Sequence, residues 1–219
     1  MGLAGALVLK VVITVGLNIP GYFEPDFATD FLRGREAHFA GLYRWAFGVH
    51  ILAGPLTLVL GWFLVGAGWR SRLPRGHRIM GRVQVGCILL LVTPSGLVMA
   101  RHAAAGRVAG AGLAALAIAT AGSAVLGVRA ARGGRLADHR SWMIRCSLLL
   151  GSAVVLRVMG GAATVLGVTA DWYDPLATWD CWISPLVTFE IIERCRAGHR
   201  AGRADSRPDA GAGRTRSIR

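Results

Sequence analysis

Cysteine is scarce in this chain, and its four cysteines form neither a CxxC pair nor a regular framework. The spacing therefore excludes the zinc sites and disulfide frameworks that cysteine patterns reveal. Cys87, Cys146 and Cys181 lie in apolar segments. A thiol in such a segment usually packs as a small hydrophobic side chain.

Acidic residues are also few, with 12 Asp and Glu against 25 Lys and Arg and a net charge of +13. The two signs alternate along the chain: 17 basic residues fall in 70–82, 129–145 and 196–219, and 7 acidic residues fall in 24–36 and 171–180. In membrane proteins, basic residues concentrate in the loops that stay in the cytoplasm. This pattern accounts for the positive charge of the chain, so no nucleic-acid partner is needed to explain it.

The motifs of several enzyme classes are missing. The glycine pairs Gly133-Gly134 and Gly160-Gly161 lack the context of a phosphate-binding loop. The order of the Ser, His and Asp residues does not indicate a hydrolytic triad. The chain also offers no pair of carboxylates in a soluble cleft. The N-terminus lacks the basic region and the small-x-small cleavage site of a signal peptide, so we expect its apolar segment to be retained as a helix.

Apolar residues, in contrast, make up 53% of the chain, and the mean hydropathy is +0.48. A soluble domain needs more polar surface than this, and the 30 glycines suit close helix packing in lipid. We predict an all-α fold, a polytopic membrane helix bundle over residues 1–195, followed by a disordered basic cytoplasmic tail over 196–219. About six transmembrane helices with both termini cytoplasmic are expected, at residues 3–19, 42–66, 79–100, 108–128, 141–166 and 181–194.

Prolines interrupt three of these predicted helices. Proline removes a backbone N–H and clashes with the preceding turn. We therefore expect a bend or a freed carbonyl at Pro55, a break at 93–96 around Pro94, and a break near Pro185.

Ionisable side chains are expected in two layers. In the inner layer, two helices start at the cytoplasmic face of the membrane, and each begins with a His-Arg pair. Their histidines therefore lie at matching depths. Histidines on facing helices can ligate a b-type haem, and arginines can pair with its propionates. The alternative is that the His-Arg pairs are interfacial anchors. The inner layer comprises His77 and His139 as candidate haem-iron ligands, Arg82 and Arg145 as candidate propionate partners, and Glu190.

The outer layer contains His50 and Arg157. An arginine deep in a membrane helix costs about 2.5 to 3.5 kcal/mol, so it is kept when something pairs with it. Arg157 is a candidate to bind an anionic group of a substrate or cofactor, or to cap carbonyls freed near a proline. A haem site at His50 would need a second ligand, for which His102 and His38 are the outer candidates.

Glu190 has two interpretations. As a buried carboxylate it could act as a general acid or carry a proton. Alternatively, it neutralises Arg82 or Arg145. Its predicted depth lies roughly 10 Å from that of Arg157, so the two are not expected to pair directly.

The combined motifs resemble a family of bacterial predicted membrane proteins, domain of unknown function 2306. The similarity extends from Tyr43 to Arg194, and it implies a multi-pass protein of the bacterial inner membrane without an established reaction. It is carried by His50 with Gly54-Pro55, His77-Arg78-x-x-Gly81-Arg82, Pro94-Ser95-Gly96-Leu97 with Met99-Ala100, His139-Arg140-x-Trp142-Met143-Ile144-Arg145 followed by Leu156-Arg157, and Cys181-Trp182 with Pro185-Leu186 and Glu190.

Three functional hypotheses follow. The first is a b-type haem-binding membrane protein of the electron-transfer or oxidoreductase type. The second is a cofactor-free membrane enzyme on a lipid-like substrate, with Glu190 as the acid and Arg157 or His50 orienting the substrate. The third is a non-catalytic transport or structural membrane protein whose polar layers fix the helix register.

Overall fold

A computed structural model describes residues 2–27, 32, 35–66 and 74–205. Within these ranges the chain is helical and contains no strand. The basic inner loop was predicted at 69–78; its residues 74–78 belong to a helix, and residues 67–73 lie outside the described residues, as do the last 14 residues of the predicted tail. Six long helices follow one another: α1 Gly2–Phe23, α2 Gly41–Val65, α3 Pro74–Arg101, α4 Gly106–Arg132, α5 Leu136–Val165 and α6 Tyr173–Asp205.

Five of these helices, α1 to α5, are long and apolar enough to cross a membrane. The predicted all-α membrane bundle is therefore confirmed. The sixth helix, α6, carries Asp180, Ser184 and Glu190 in its apolar part, and these lower its hydropathy. It nevertheless packs along both α4 and α5.

Helix α6 is longer than predicted at both ends, beginning at Tyr173 and continuing to Asp205. The aromatic and acidic residues before Cys181 suggested a loop. In the structure the Trp179 indole Nε1 donates a hydrogen bond to the Val108 carbonyl of α4 at 3.1 Å. This contact holds the first turns of α6 against α4, so tertiary packing extends the helix.

The predicted break at 93–96 is wrong, because α3 continues through Pro94. The distortion lies one turn earlier, where Ile88–Val92 forms a π-helical segment before the α-helix resumes at Thr93–Arg101. A proline ring crowds the carbonyl four residues before it, and a wider turn relieves that crowding. Within this part of α3 the Ser95 hydroxyl reaches the Leu91 carbonyl at 2.5 Å and the Val92 carbonyl at 3.1 Å.

Helix α4 is the most closely packed element, as its small residues predicted. It contacts α3, α5 and α6. A Cβ added at Gly112 would lie 3.0 Å from the Trp179 ring of α6, and one added at Gly127 would lie 2.7 Å from the Met143 sulfur of α5. Both glycines therefore set the distance between neighbouring helices.

Candidate functional site

The π-helical distortion of α3 positions a polar contact with α2. The His50 ring Nδ1 lies 3.0 Å from the Ser95 Oγ. The single hydroxyl hydrogen of Ser95 is donated to the Leu91 and Val92 carbonyls. When the ring carries its hydrogen on Nδ1, it donates to the Ser95 oxygen, and Nε2 is then the acceptor of the ring.

Arg157 of α5 belongs to the same region. Its Nη1 donates a hydrogen bond to the Ala153 carbonyl of its own helix at 2.9 Å. The His50 ring and the Tyr22 side chain at the end of α1 line one cavity with this guanidinium. Three helices thus bring a cation, an imidazole and a phenol together.

These side chains line a cavity of about 280 Å³ that receives residues from all six helices. Such a volume is at the lower end for small-molecule pockets. Most of the wall is aliphatic, and among the described residues its one formally charged side chain is Arg157. We call this the outer cavity; its polar lining consists of Tyr22, His50, Thr57, Thr93, Thr120, Ser152, Arg157 and the thiol of Cys181.

One polar group in the wall of the outer cavity is a buried hydroxyl. The Thr93 Oγ1 is buried and has no hydrogen-bond partner among the described residues. Buried polar atoms are nearly always paired. A ligand with a polar group near α3 would satisfy this hydroxyl.

The inner layer contains an ion pair between α5 and α6. The Arg145 Nε lies 2.5 Å from the Glu190 Oε1, and the Nη2 lies 3.0 Å from the Oε2, a bidentate arrangement. The Nη1 donates to the Ser141 hydroxyl at 2.6 Å. The guanidinium also lies 4.8 Å from the Trp142 ring centroid and 5.2 Å from that of Phe189. Of the two predicted partners for Glu190, the structure selects Arg145.

The two inner histidines have different environments. The Nδ1 of His139 donates to the Gly127 carbonyl of α4 at 2.9 Å, which ties the start of α5 to the end of α4. His77 lies half-buried on Pro74–Cys87 of α3, a segment that packs chiefly on α2. Neither histidine lines the outer cavity. Arg82 is exposed on the same segment of α3.

These contacts therefore do not bring His77 and His139 together as a facing pair. The hydrogen bond of His139 fits the anchoring alternative, and it also fixes the tautomer that leaves Nε2 available, as in a ligating histidine. The described residues contain no group of three or more His, Cys, Asp or Glu side chains able to hold a metal ion. A haem iron needs only two axial ligands, so the haem hypothesis stays a prediction.

The remaining outer histidines do not line the outer cavity. The His38 and His102 rings instead lie 4.9 Å apart, centroid to centroid. The His102 ring also makes an edge contact with Tyr43, whose hydroxyl accepts a hydrogen bond from Arg35. This cluster packs the chain before α2 against the end of α3.

The structure thus joins His50 with Arg157, as their shared depth predicted, and keeps Glu190 in a separate pair. Sequence reasoning missed Tyr22 and Thr93, which line the outer cavity, and Ser95, which contacts the His50 ring. Ser95 follows Pro94 within a helix turn of the expected distortion, and this was the available signal for a hydroxyl that reaches freed carbonyls. Tyr22 had been assigned to a loop.

The comparisons with known proteins agree with this architecture. The family model described as "Predicted membrane protein (DUF2306)" matches residues 47–192, which span α2 to α6 and include every predicted site residue. No curated protein and no solved structure matches the chain. With two thirds of its length matched, the chain belongs to the DUF2306 family of predicted membrane proteins.

Proposed function

We propose that this multi-pass membrane protein binds a lipid-like molecule whose polar head lies in the outer cavity. The observation that carries the binding proposal is the placement of His50 and Arg157 in one largely aliphatic cavity formed by all six helices.

We also propose that the protein lies in a bacterial inner membrane with both termini cytoplasmic, as the basic loops indicate. A periplasmic signal from a reporter fused after Arg219 would contradict this orientation.

The chemistry of the cavity limits the ligand. A cation in a largely aliphatic cavity favours a ligand with an anionic or strongly hydrogen-bond-accepting group. The guanidinium of Arg157 and the Thr93 hydroxyl supply donors for such a group. The aliphatic remainder suits an apolar body. The proposed ligand is therefore an amphipathic molecule with a small head such as a carboxylate.

Arg157→Gln should weaken binding of a long-chain alkyl carboxylate by about tenfold or more, because a charge-assisted hydrogen bond contributes about 1.5 to 3 kcal/mol. Binding would be measured on purified protein in lipid nanodiscs by displacement of a photoreactive alkyl carboxylate. The alcohol of equal chain length should bind more weakly to the native protein and respond less to the substitution.

Lys10→Gln is the matched control, because Lys10 is a second cation within a spanning helix but is exposed and does not line the outer cavity. It should leave affinity unchanged. Thermal unfolding of each variant verifies its fold. Equal affinity of native protein and Arg157→Gln would overturn the proposal.

Haem binding is the second candidate, and the His139 contact that leaves its Nε2 available favours it. This candidate takes His77 as the other axial ligand and Arg82 and Arg145 as propionate partners. It requires His77 and His139 to face each other, which the described contacts do not show, and Arg145 to leave Glu190. Bound haem would give the protein one-electron redox chemistry. If this candidate holds, detergent-purified protein shows a Soret band that sharpens on reduction and is lost in His139→Ala. A flat spectrum from folded protein expressed with ample haem excludes it.

An enzymatic version of the lipid-binding proposal would use His50 as the general base. Its Nε2 is available to accept a proton, and its Nδ1 is oriented by Ser95. Glu190 fits the role of the acid less well, because its carboxylate is held by Arg145 and does not line the outer cavity.

A further inference from the structure

A second, larger space lies in the other half of the bundle. It has a volume of about 580 Å³ and is an open groove formed by α1, α2 and α5, with Pro185 of α6 at its edge. We call it the inner groove. Its wall is almost entirely apolar, and Ser147 is its one hydroxyl-bearing side chain among the described residues.

The inner groove adjoins the outer cavity. Leu58 of α2 and Leu150 of α5 line both spaces. Along α1 the groove residues Leu7 and Val8 precede the cavity residue Val11 by one turn. On α2 the cavity residues end and the groove residues begin at Leu58, whereas on α5 the two spaces lie side by side over residues 149–155 and share Leu150.

The length of this path sets the size of its occupant. On α5 the groove begins at Ile144 and the cavity reaches Arg157, which corresponds to roughly 20 Å along the helix. Half of the hydrocarbon core of a bilayer measures about 15 Å. A chain as long as a lipid tail therefore fits between the polar head group and the far end of the groove.

We propose that the ligand is a single-chain long-tail amphiphile, whose head contacts Arg157 in the outer cavity and whose tail lies in the inner groove. This inference rests on the proposed function and specifies its substrate class. Short amphiphiles would occupy the outer cavity alone.

Gly151 provides a direct test. It lines the inner groove, and a Cβ added there would meet nothing within 4 Å. A large side chain at this position fills the groove without a clash at its base. Gly160 lies on the same helix, is exposed, has the same free space, and lines neither the inner groove nor the outer cavity.

The experiment compares two photoreactive alkyl carboxylates in nanodiscs, one of about eight carbons and one of about sixteen, each reactive at its tail end. The long probe should label α2 and α5 along the inner groove. Gly151→Trp should lower its capture about tenfold and leave the short probe unaffected. Gly160→Trp should change neither. Gly151→Leu serves as the milder variant if the tryptophan impairs folding.

The outcomes separate this inference from the proposed function. If both probes depend on Arg157 but Gly151→Trp and Gly151→Leu capture the long probe as well as Gly160→Trp does, the tail does not lie in the groove and the inference fails. If Arg157→Gln alters the capture of neither probe, the proposed function fails and the inference fails with it.

Discussion

Replacing Gly110 with alanine is expected to destabilise the bundle by about 3 kcal/mol, near the upper end for overpacking substitutions. The added Cβ would lie 2.5 Å from the Ala100 carbonyl oxygen. That oxygen belongs to the backbone, so no side-chain rotation can remove the clash. The start of α4 and the end of α3 would have to move apart.

The control for this substitution is Gly122→Ala, on the same helix. A Cβ at Gly122 meets nothing within 4 Å, and alanine is the better helix former by about 1 kcal/mol. This variant should therefore be as stable as the native protein or slightly more stable. Thermal unfolding in one detergent gives the comparison. Equal midpoints for the two variants would show that the α3–α4 contact tolerates a methyl group.

The Gly110 contact also bears on the candidate site. Ala100 lines the outer cavity beside Met99 and Gly96, and the His50 ring packs against Gly96, where a Cβ would lie 3.4 Å from its Cε1. A displaced end of α3 would change this wall. Gly110→Ala should therefore weaken binding of the alkyl carboxylate as well as lower stability, whereas Gly122→Ala should do neither.

The parts of the fold that depend on local sequence were predictable. Long apolar segments and alternating loop charge predicted the helices, because each helix in lipid must satisfy its own backbone hydrogen bonds. The depth of a residue follows from its position on its helix, which is why His50 and Arg157 were expected in one layer. Helix α4 was expected to pack closely because it is rich in glycine and alanine.

The remaining features depend on contacts between distant segments. The sequence offered Arg82 and Arg145 as equal partners for Glu190, and only the rotation of α3 and α5 about their axes decides between them. The proline at Pro94 predicted a distortion but not its form, since a π turn and a break both relieve the same clash. The contribution of Tyr22 depends on α1 extending one turn further than its apolar pattern.

Loss of the Glu190 carboxylate is the second large effect we expect. Glu190→Gln should destabilise the protein by about 2 kcal/mol, because it leaves the Arg145 guanidinium without its bidentate partner. The Arg145 side chain is 19% exposed and that of Glu190 is 36% exposed. We therefore expect a smaller loss of unfolding free energy than for breaking a fully buried ion pair. Thermal or denaturant unfolding in detergent measures it.

Glu193→Gln is the matched control one turn further along α6. Its carboxylate lies 3.3 Å from the Arg196 Nη1, and the two side chains are 42% and 65% exposed. An exposed pair of this kind contributes at most about 1 kcal/mol. The variant should unfold close to the native protein, and a loss as large as that of Glu190→Gln would show that general charge, and not the α5–α6 ion pair, is responsible.

A double-mutant cycle then distinguishes an ion pair from a catalytic acid. Arg145→Gln combined with Glu190→Gln should recover part of the stability lost by either change, with a coupling of about 1 to 3 kcal/mol. Recovery will be incomplete, because the guanidinium also stacks on Trp142 and Phe189. If Glu190 fixes the register of α5 and α6, capture of the alkyl carboxylate should follow stability through the cycle. Capture lost in Glu190→Gln and not regained in the double variant would instead assign the carboxylate a direct role at the ligand.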